Sequence, residues 1–337
     1  MPNNYALRTP LFAKAQSSGA STQSAKLNVV VNGSIVYTII KPALPNVDVI
    51  FEVAELLKDY LGTTYSYSPQ KIGFNTNIQF FNQPNAGGSA QGAAINTVGG
   101  DGYDAYSIYT DGANSKIPFK NRQSQPTWLL EVARPNSSGT NTDDFYIFVP
   151  NNQDGKVNSI SAGGTVTTRN YSATDTAINV TGYPRLNIVR IDCTKYGDGH
   201  KISFINRYGV LQDLWFFLKK VDSVGRSNES FNRNTLEDDA TYDIIEAPKR
   251  LFNTTAKQSR TLSSGYYPEW ANAYFEQLLL SEHVWLTRPQ YNSPTNSEVI
   301  PVIVKTSSMT FKTSVNDRLI DYTIEFEDAF DHINNIR

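Results

Sequence analysis

The stretch that decides the fold class runs from Arg185 to Lys220 and reads RLNIVRIDCTKYGDGHKISFINRYGVLQDLWFFLKK. Its apolar residues fall into three short runs, and the aromatic content rises toward the Trp-Phe-Phe sequence in the third. Segments 195–199 and 206–209 separate the runs, and their Gly, Asp and Asn residues tolerate the backbone angles of tight turns. The stretch therefore predicts a meander of three β-strands, and it contains no obvious reactive group.

Composition favours a β-rich scaffold over a helical enzyme. Of the 337 residues 12% are aromatic and only 18% are charged, and Tyr (19) and Phe (17) far outnumber Met (2). A helical enzyme normally carries more Lys, Glu and Ala. The formal net charge of −2 gives no drive toward nucleic acid, and no apolar run approaches a bilayer-spanning length, so we expect neither nucleic acid nor membrane as a partner.

Strand signals recur along the whole chain. They predict a mainly β protein built from several β-sandwich or barrel modules, with one or two short helices. Asn32-Gly33 between two apolar runs is the strongest hairpin signal, because both residues accept the positive φ of a type I′ turn. Helical periodicity is limited to the end of segment 47–61 and to segment 269–281.

Four other segments carry weaker expectations. Segment 83–100 is rich in Gly, Ala and Asn and is expected to be a long loop. Segment 221–258 is polar and charge-mixed, with an edge strand expected only at Tyr242–Ile245. Residues 299–305 and 309–313 are expected to form a hairpin. The strictly alternating strand 320–326 is expected at a sheet edge, where it would be available to a neighbouring subunit.

Length and composition divide the chain into an N-terminal arm and three domains. Residues 1–25 are small and polar, and they predict an extended arm without a core of its own. The expected domains are a β-rich domain with a short helix at 26–125, a β-sandwich domain containing the meander at 126–225, and an α+β domain at 226–337. Breaks are therefore predicted near residues 125 and 225.

The residues that carry chemistry form no catalytic or metal motif. His200, His283 and His332 lie far apart and lack the short spacing of a zinc site. Cys193 is the one cysteine and is expected to be a small buried side chain. We therefore predict no catalytic residue, no metal, no cofactor and no enzyme activity. A carbohydrate-degrading enzyme with two spatially paired acids is the least favoured alternative.

Acidic residues in a Gly-rich segment raise the possibility of a calcium site. Asp101, Asp104 and Asp111 lack the ligand positions, central Gly and terminal Glu of an EF-hand loop. They are therefore interpreted as solvated turn acids, and the short acidic run 237–239 is interpreted as an exposed loop.

Aromatic residues supply the one candidate interaction surface. Tyr103, Tyr106 and Tyr109 lie in a Tyr-rich segment and would suit contact with a carbohydrate. The same density of rings is also what cross-strand pairs and a sandwich core require. The Trp215 group is therefore assigned to the core, whereas the tyrosines stay candidates for a binding surface.

Several segments of the chain resemble structural virion proteins of tailed bacteriophages, of the tail or baseplate type. The segments that carry the resemblance are Asp101-Gly102-Tyr103, Asp111–Asn114, Cys193–Tyr196, Phe204–Gly209, Leu211–Phe217, Leu278–Trp285 and Asp321–Asp331. The similarity runs from about residue 26 to the end and is to proteins of phages of marine or Bacteroidota hosts. These are packing and turn motifs, so the resemblance implies no catalytic residue.

The resemblance implies a structural component of a virion, assembled in the host cytoplasm. Its expected partners are further copies of itself in a homo-oligomeric ring or connector, together with other tail proteins. A receptor- or glycan-binding module at the tail tip, which would contact host surface glycan, is the alternative.

Overall fold

The structure, a computed structural model, describes most of the chain. The described residues are 3–66, 70–104, 145–151, 155–160, 166–178, 186–191, 199–206, 209, 211–235, 238–241, 243–290, 293–311 and 319–330. They are mainly β, which confirms the predicted fold class, and only one of their helices exceeds seven residues. The chain divides into two compact units, residues 1–190 with 205–213 and residues 191–204 with 214–337.

A five-stranded sheet organises the first unit. The elements in chain order are β1 (Asn3–Ala6), β2 (Phe12–Gln16), β3 (Ser24–Val31), β4 (Ser34–Pro42), β5 (Asp48–Glu52), α1 (Ala54–Lys58), β6 (Lys71–Phe81), a 3₁₀ helix (Pro84–Ala86) and β7 (Ile95–Tyr103). The sheet order is β1-β7-β6-β3-β4, and β2 pairs with β5 in a separate two-stranded sheet. Strand β7 begins inside the predicted loop 83–100, so that loop is shorter than expected.

Local signals in this unit are confirmed. The β3–β4 hairpin closes at Asn32 and Gly33, whose φ angles are 49° and 85°, as a type I′ turn requires. Segment 47–61 forms a strand and then the short helix α1, and both Val53, directly before the helix, and Leu57 within it are fully buried. Turn chemistry and apolar spacing over a few residues were sufficient for both elements.

The expected N-terminal arm is wrong. Strand β1 pairs in parallel with β7, and β2 pairs antiparallel with β5, so residues 3–16 belong to the sheets of the first unit. Leu7 and Leu11 are buried in its core. A Cβ on Gly102 would approach Leu7 Cδ1 to 2.8 Å, so glycine is what lets Leu7 pack against β7. The segment is polar on average, but its leucines are both fully buried.

The chain continues with shorter strands. They are β8 (Phe145–Pro150), β9 (Gly155–Ile160), β10 (Val166–Tyr171), β11 (Ala177–Ile178), β12 (Leu186–Ile191), β13 (His200–Ile205) and β14 (Leu211–Phe216). All three predicted meander strands, β12, β13 and β14, are present. They do not form one meander, however, because β12 lies between β11 and β8, whereas β13 and β14 are neighbours in another sheet.

A seven-stranded sheet organises the second unit. Its remaining elements are β15 (Lys220–Asn232), β16 (Lys249–Ser263), β17 (Tyr267–Pro268), a 3₁₀ turn (Glu269–Ala271), α2 (Asn272–Leu280), β18 (Val284–Gln290), β19 (Ser293–Val304), β20 (Leu319–Ile320) and β21 (Thr323–Asp328). The order is β14-β13-β18-β19-β21-β16-β15. The predicted helix at 269–281 is confirmed. The predicted break near 225 falls inside β15, and the one near 125 lies outside the described residues.

An aromatic cluster fills the core of the second unit. The ring of Phe275 on α2 lies 4.9 Å from Tyr322, 5.2 Å from Tyr267 and 6.3 Å from Phe216, centroid to centroid. Phe216 also contacts Phe326 of β21 edge-to-face at 5.6 Å. Offset and edge-to-face geometries are the favourable ones for aromatic pairs. The core assignment is thus confirmed for Phe216, while Trp215 is half-buried.

Three strand expectations in this unit are wrong. The alternation of 320–326 is present, with Ile324 and Phe326 fully buried, but β21 lies between β19 and β16 rather than at an edge. Strand β19 pairs with β18 and β21, and residues 309–311 are not in a strand. The segment 221–258 forms most of a long hairpin, and its residues 243–246 lie in the connecting turn.

Because the N-terminal strands are part of the core, we expect Leu7→Ala to lower the free energy of unfolding by about 2–5 kcal/mol. Urea denaturation of the full chain measures this change. Ile35→Ala is the matched control, since that side chain is 62% exposed and should change the free energy by less than about 0.5 kcal/mol. Equal effects of the two substitutions would show that residues 3–16 do not contribute to the core.

Candidate interaction site on a long hairpin

Strands β15 and β16 extend well beyond the sheet that holds them. The strands β15 and β16 pair along the whole of Lys220–Asn232, whereas β16 pairs with β21 only through Ser259–Ser263. Beyond that point β15 and β16 pair with no other strand among the described residues. We call this two-stranded part, Val224–Asn232 with Lys249–Gln258, the ribbon. At about 3.3 Å per residue it is roughly 25 Å long.

The ribbon exposes apolar side chains. Every described residue of β15 is exposed, and so are the first five residues of β16. Four large apolar side chains on the ribbon are 40–57% exposed: Val224, Phe231, Leu251 and Phe252. Apolar residues clustered on a projecting element often mark an interaction site.

Four side chains share one face of the outer ribbon. A bulge follows Ser227, and beyond it the cross-strand pairs include Glu229–Phe252 and Phe231–Arg250. Directly paired residues lie on the same side of a ribbon, and so do residues two apart on one strand. Glu229, Phe231, Arg250 and Phe252 therefore point the same way. We call this set the ribbon face.

The ribbon face has an aromatic centre and one charge on each side. Phe231 and Phe252 lie on one diagonal, with ring centroids 5.7 Å apart in an edge-to-face contact. Strand twist brings one diagonal of such a set together and separates the other. Glu229 and Arg250 occupy the separated diagonal, and neither has an ion-pair partner among the described residues.

The described part of the connection between β15 and β16 exposes two neighbouring isoleucines. Ile244 and Ile245 are each 87% exposed. The turn is ordered by an ion pair between Arg233 and Glu246 and by Asp243, whose Oδ1 accepts a hydrogen bond from the Ile245 N–H at 3.0 Å. Side-chain acceptors of this kind stabilise turns. The connection therefore presents two adjacent apolar side chains held by polar contacts around them.

A buried ion pair anchors the hairpin on the core side of the sheet. Arg260 of β16 and Asp328 of β21 form a two-pronged contact, with Nη2 to Oδ2 at 3.2 Å, and the residues are 2% and 5% exposed. Arg260 Nε also lies 3.5 Å from Oδ1 of Asp222 on β15. One guanidinium therefore links three strands immediately before the ribbon begins.

A second group of charges anchors the opposite side of the sheet. Glu327 is 9% exposed and lies 3.2 Å from the Lys257 ammonium and 3.5 Å from that of Lys305. The hydrogen bond from Lys257, aided by both positive charges, lowers the pKa of the Glu327 carboxyl below its ordinary value of 4.5, although burial opposes the shift. The carboxylate thus stays ionised and holds β16, β19 and β21 together.

The predicted tyrosine surface is not supported at Tyr103. This side chain is only 3% exposed, and it lies at the end of β7, which pairs with β1 and β6. Burial, together with the charge of Asp101, raises the pKa of its hydroxyl to about 12. Tyr106 and Tyr109 lie outside the described residues, so their role stays a prediction.

The other predicted positions are scattered. His200 begins β13, and His283 stacks on Trp285 with centroids 6.2 Å apart. His332, Cys193 and Asp111 lie outside the described residues. Asp101 pairs with Lys71 at 2.7 Å, and Asp104 is buried against Arg8. Asp101 and Asp104 are therefore ion-paired rather than solvated turn acids.

Among the described residues, no group of three or more His, Cys, Asp or Glu side chains is arranged to hold a metal ion. None of the described helices is long and apolar enough to cross a membrane.

Comparison with known proteins gives no relative. No family model, curated protein or solved structure matches this chain.

The sequence did not predict the ribbon because most of its side chains are exposed and its residues show no period-two apolar pattern. One signal was present. Segment 249–263 is fifteen residues long without Gly or Pro, follows Pro248 and contains three threonines, a composition that permits a long strand.

Removing one partner of the buried pair should destabilise the second unit strongly. Asp328→Ala leaves the Arg260 charge buried without its partner, which costs about 3–5 kcal/mol. The change is measured by urea denaturation. Asp48→Ala is the matched control, because that carboxylate pairs with Lys14 at the surface and should cost less than about 1 kcal/mol.

The double variant Arg260→Met with Asp328→Leu tests the same point from the other direction. Replacing both charges by apolar side chains leaves none buried and should recover most of the loss. If Asp328→Ala costs no more than Asp48→Ala, the pair does not anchor the hairpin.

Glu327 should make the stability of this unit depend on pH. Its folded pKa lies below the unfolded value, so its contribution is present above about pH 4.5 and is lost as the pH falls through the lowered value. Glu327→Gln should therefore destabilise the protein near neutral pH and have little effect once the pH is below the lowered pKa of Glu327. Glu325→Gln, an exposed change on the same strand, should have a small effect at both. A constant cost of Glu327→Gln at both pH values would contradict the ion-pair explanation.

Proposed function

We propose that this chain is a structural component of a bacteriophage virion, of the tail or baseplate type, which acts by assembling with copies of itself and with other tail proteins. The observation that carries the proposal is the ribbon, an exposed element with apolar residues along its length and in the connection between its strands. An isolated two-stranded hairpin is at best marginally stable in water. The charges at its base and a partner along its length would both stabilise it.

The type of surface supports assembly rather than turnover. The ribbon and its connecting turn expose aromatic rings, isoleucines and guanidinium groups. Aromatic and Arg side chains are enriched in protein–protein contacts. Because the ribbon continues two strands of the seven-stranded sheet, a force applied by a bound neighbour would pass into the core of the second unit. The resemblance of several segments to virion proteins also supports the proposal. It implies that the chain is part of a particle assembled in the host cytoplasm.

The glycan-binding alternative is weakened. It depended on three tyrosines, and Tyr103 is buried. No feature of the described residues favours it over assembly.

The proposal is tested by measuring mass and location together. Light scattering of the purified chain should give a multiple of 37.6 kDa, and mass spectrometry should detect the chain in purified virions. A chain without residues 226–256, in which Gly225 is joined to Lys257 by an Asn-Gly turn, should keep its fold as measured by circular dichroism. It should form an oligomer of fewer copies than the unmodified chain. Gly225 and Lys257 are paired in the hairpin, so the shortened turn preserves the base.

Two outcomes would contradict the proposal. One is absence of the chain from purified virions. The other is a chain that stays monomeric both with and without the ribbon, even at high protein concentration.

A further inference from the structure

We propose that the ribbon face of one copy docks on the ribbon face of a second copy about a two-fold axis. This inference rests on the proposed function, since it names the partner in the assembly. The occupant follows from the arrangement of charge on the four residues Glu229, Phe231, Arg250 and Phe252.

A two-fold contact requires a surface that is complementary to itself. The ribbon face meets this condition for one orientation of the axis. If the axis lies in the contact plane along the line from Phe231 to Phe252, each phenylalanine meets its own counterpart. The same rotation places Glu229 of each copy opposite Arg250 of the other. Two ion pairs then flank a cluster of four rings.

The charges are available for this contact. Glu229 and Arg250 are exposed, and neither forms an ion pair within the described residues of its own chain. The rings of Phe231 and Phe252 are 46% and 40% exposed although they touch each other. A second pair of rings would bury the remaining apolar surface, which is favourable at about 25 cal/mol per Å².

The opposite face of the ribbon lacks this property. Beyond the bulge it carries Ser230, Leu251, Asn232 and Lys249, with a single sign of charge. Two copies docked through that face would place no carboxylate opposite either lysine. Charge complementarity therefore selects the face that contains Phe231 and Phe252 for self-association.

The contact is small. Four side chains per copy cover much less than the roughly 800 Å² per partner that a stable dimer needs. The contact is therefore weak by itself and gains strength when other contacts hold the copies near each other. Its effect is best measured over a wide range of protein concentration.

The decisive experiment reverses the charge of Glu229 or of Arg250 and then mixes the two variants. Sedimentation of the full chain should show a step that doubles the mass as the concentration rises. Glu229→Arg alone, or Arg250→Glu alone, turns two attractions into repulsions and should raise the dissociation constant of that step about tenfold. An equimolar mixture of the two variants should return the dissociation constant to that of the unmodified chain, because each copy then supplies the charges that the other needs.

Two controls separate a contact between copies from an effect within one chain. Lys249→Glu changes a charge on the neighbouring residue but on the opposite face, and it should leave the dissociation constant within about twofold of the unmodified chain. The double variant Glu229→Arg with Arg250→Glu should associate like the unmodified chain, whereas it should not rescue either single variant.

The inference is overturned if the single variants associate as well as the unmodified chain, or if their mixture fails to recover. It is also overturned if the unmodified chain shows no mass-doubling step up to about 1 mM. The proposed function is judged separately, by the presence of the chain in virions. A chain found in virions but indifferent to charge exchange keeps the function and loses this contact. If the mixture of the two variants recovers association but the chain is absent from virions, the contact is kept and the proposed function is lost.

Discussion

The contact between Arg260 and Asp328 is the constraint on which the hairpin depends. A buried charge costs several kcal/mol unless it is paired with good geometry, so neither side chain tolerates separation from the other. The two residues lie on neighbouring strands, β16 and β21, and Arg260 also reaches Asp222 on β15. The pair therefore fixes the relative positions of three strands at the point where the sheet narrows to two. Glu327 does the same on the opposite side of the sheet.

The ribbon beyond this point has a different energetic character. Hydrophobic burial, which stabilises the rest of the unit through Phe275 and its neighbours, contributes little where nearly every side chain is exposed. Backbone pairing and the Phe231–Phe252 contact are the principal interactions left. A segment of this kind opens locally at low free-energy cost. Binding to a partner would supply the missing burial, so rigidity of the ribbon and occupancy of its face are expected to rise together.

Sequence patterns predicted the elements whose signals are local. The Asn32-Gly33 hairpin and the helix at 269–281 depend on turn chemistry and spacing within a few residues, and both are present. The position of β21 was not predictable, because apolar alternation looks the same in a central strand and in an edge strand with one buried face. Leu7 and Leu11 become core residues only through pairing with distant strands. The candidate site was missed for a related reason, since a ribbon whose side chains are mostly exposed leaves no periodic apolar signal.

The central place of β21 also bears on how the protein is made. Strand β21 inserts between β19 and β16, so the seven-stranded sheet stays open until residues 323–328 have been synthesised. About sixty residues separate β16 from β21 and about twenty separate β19 from it, which corresponds to roughly three to twelve and one to four seconds of translation. During these intervals each of the two strands presents an unpaired edge to other nascent chains on the same messenger. The second unit is therefore expected to fold late. When the protein is expressed alone, this unit is expected to need protection by chaperones.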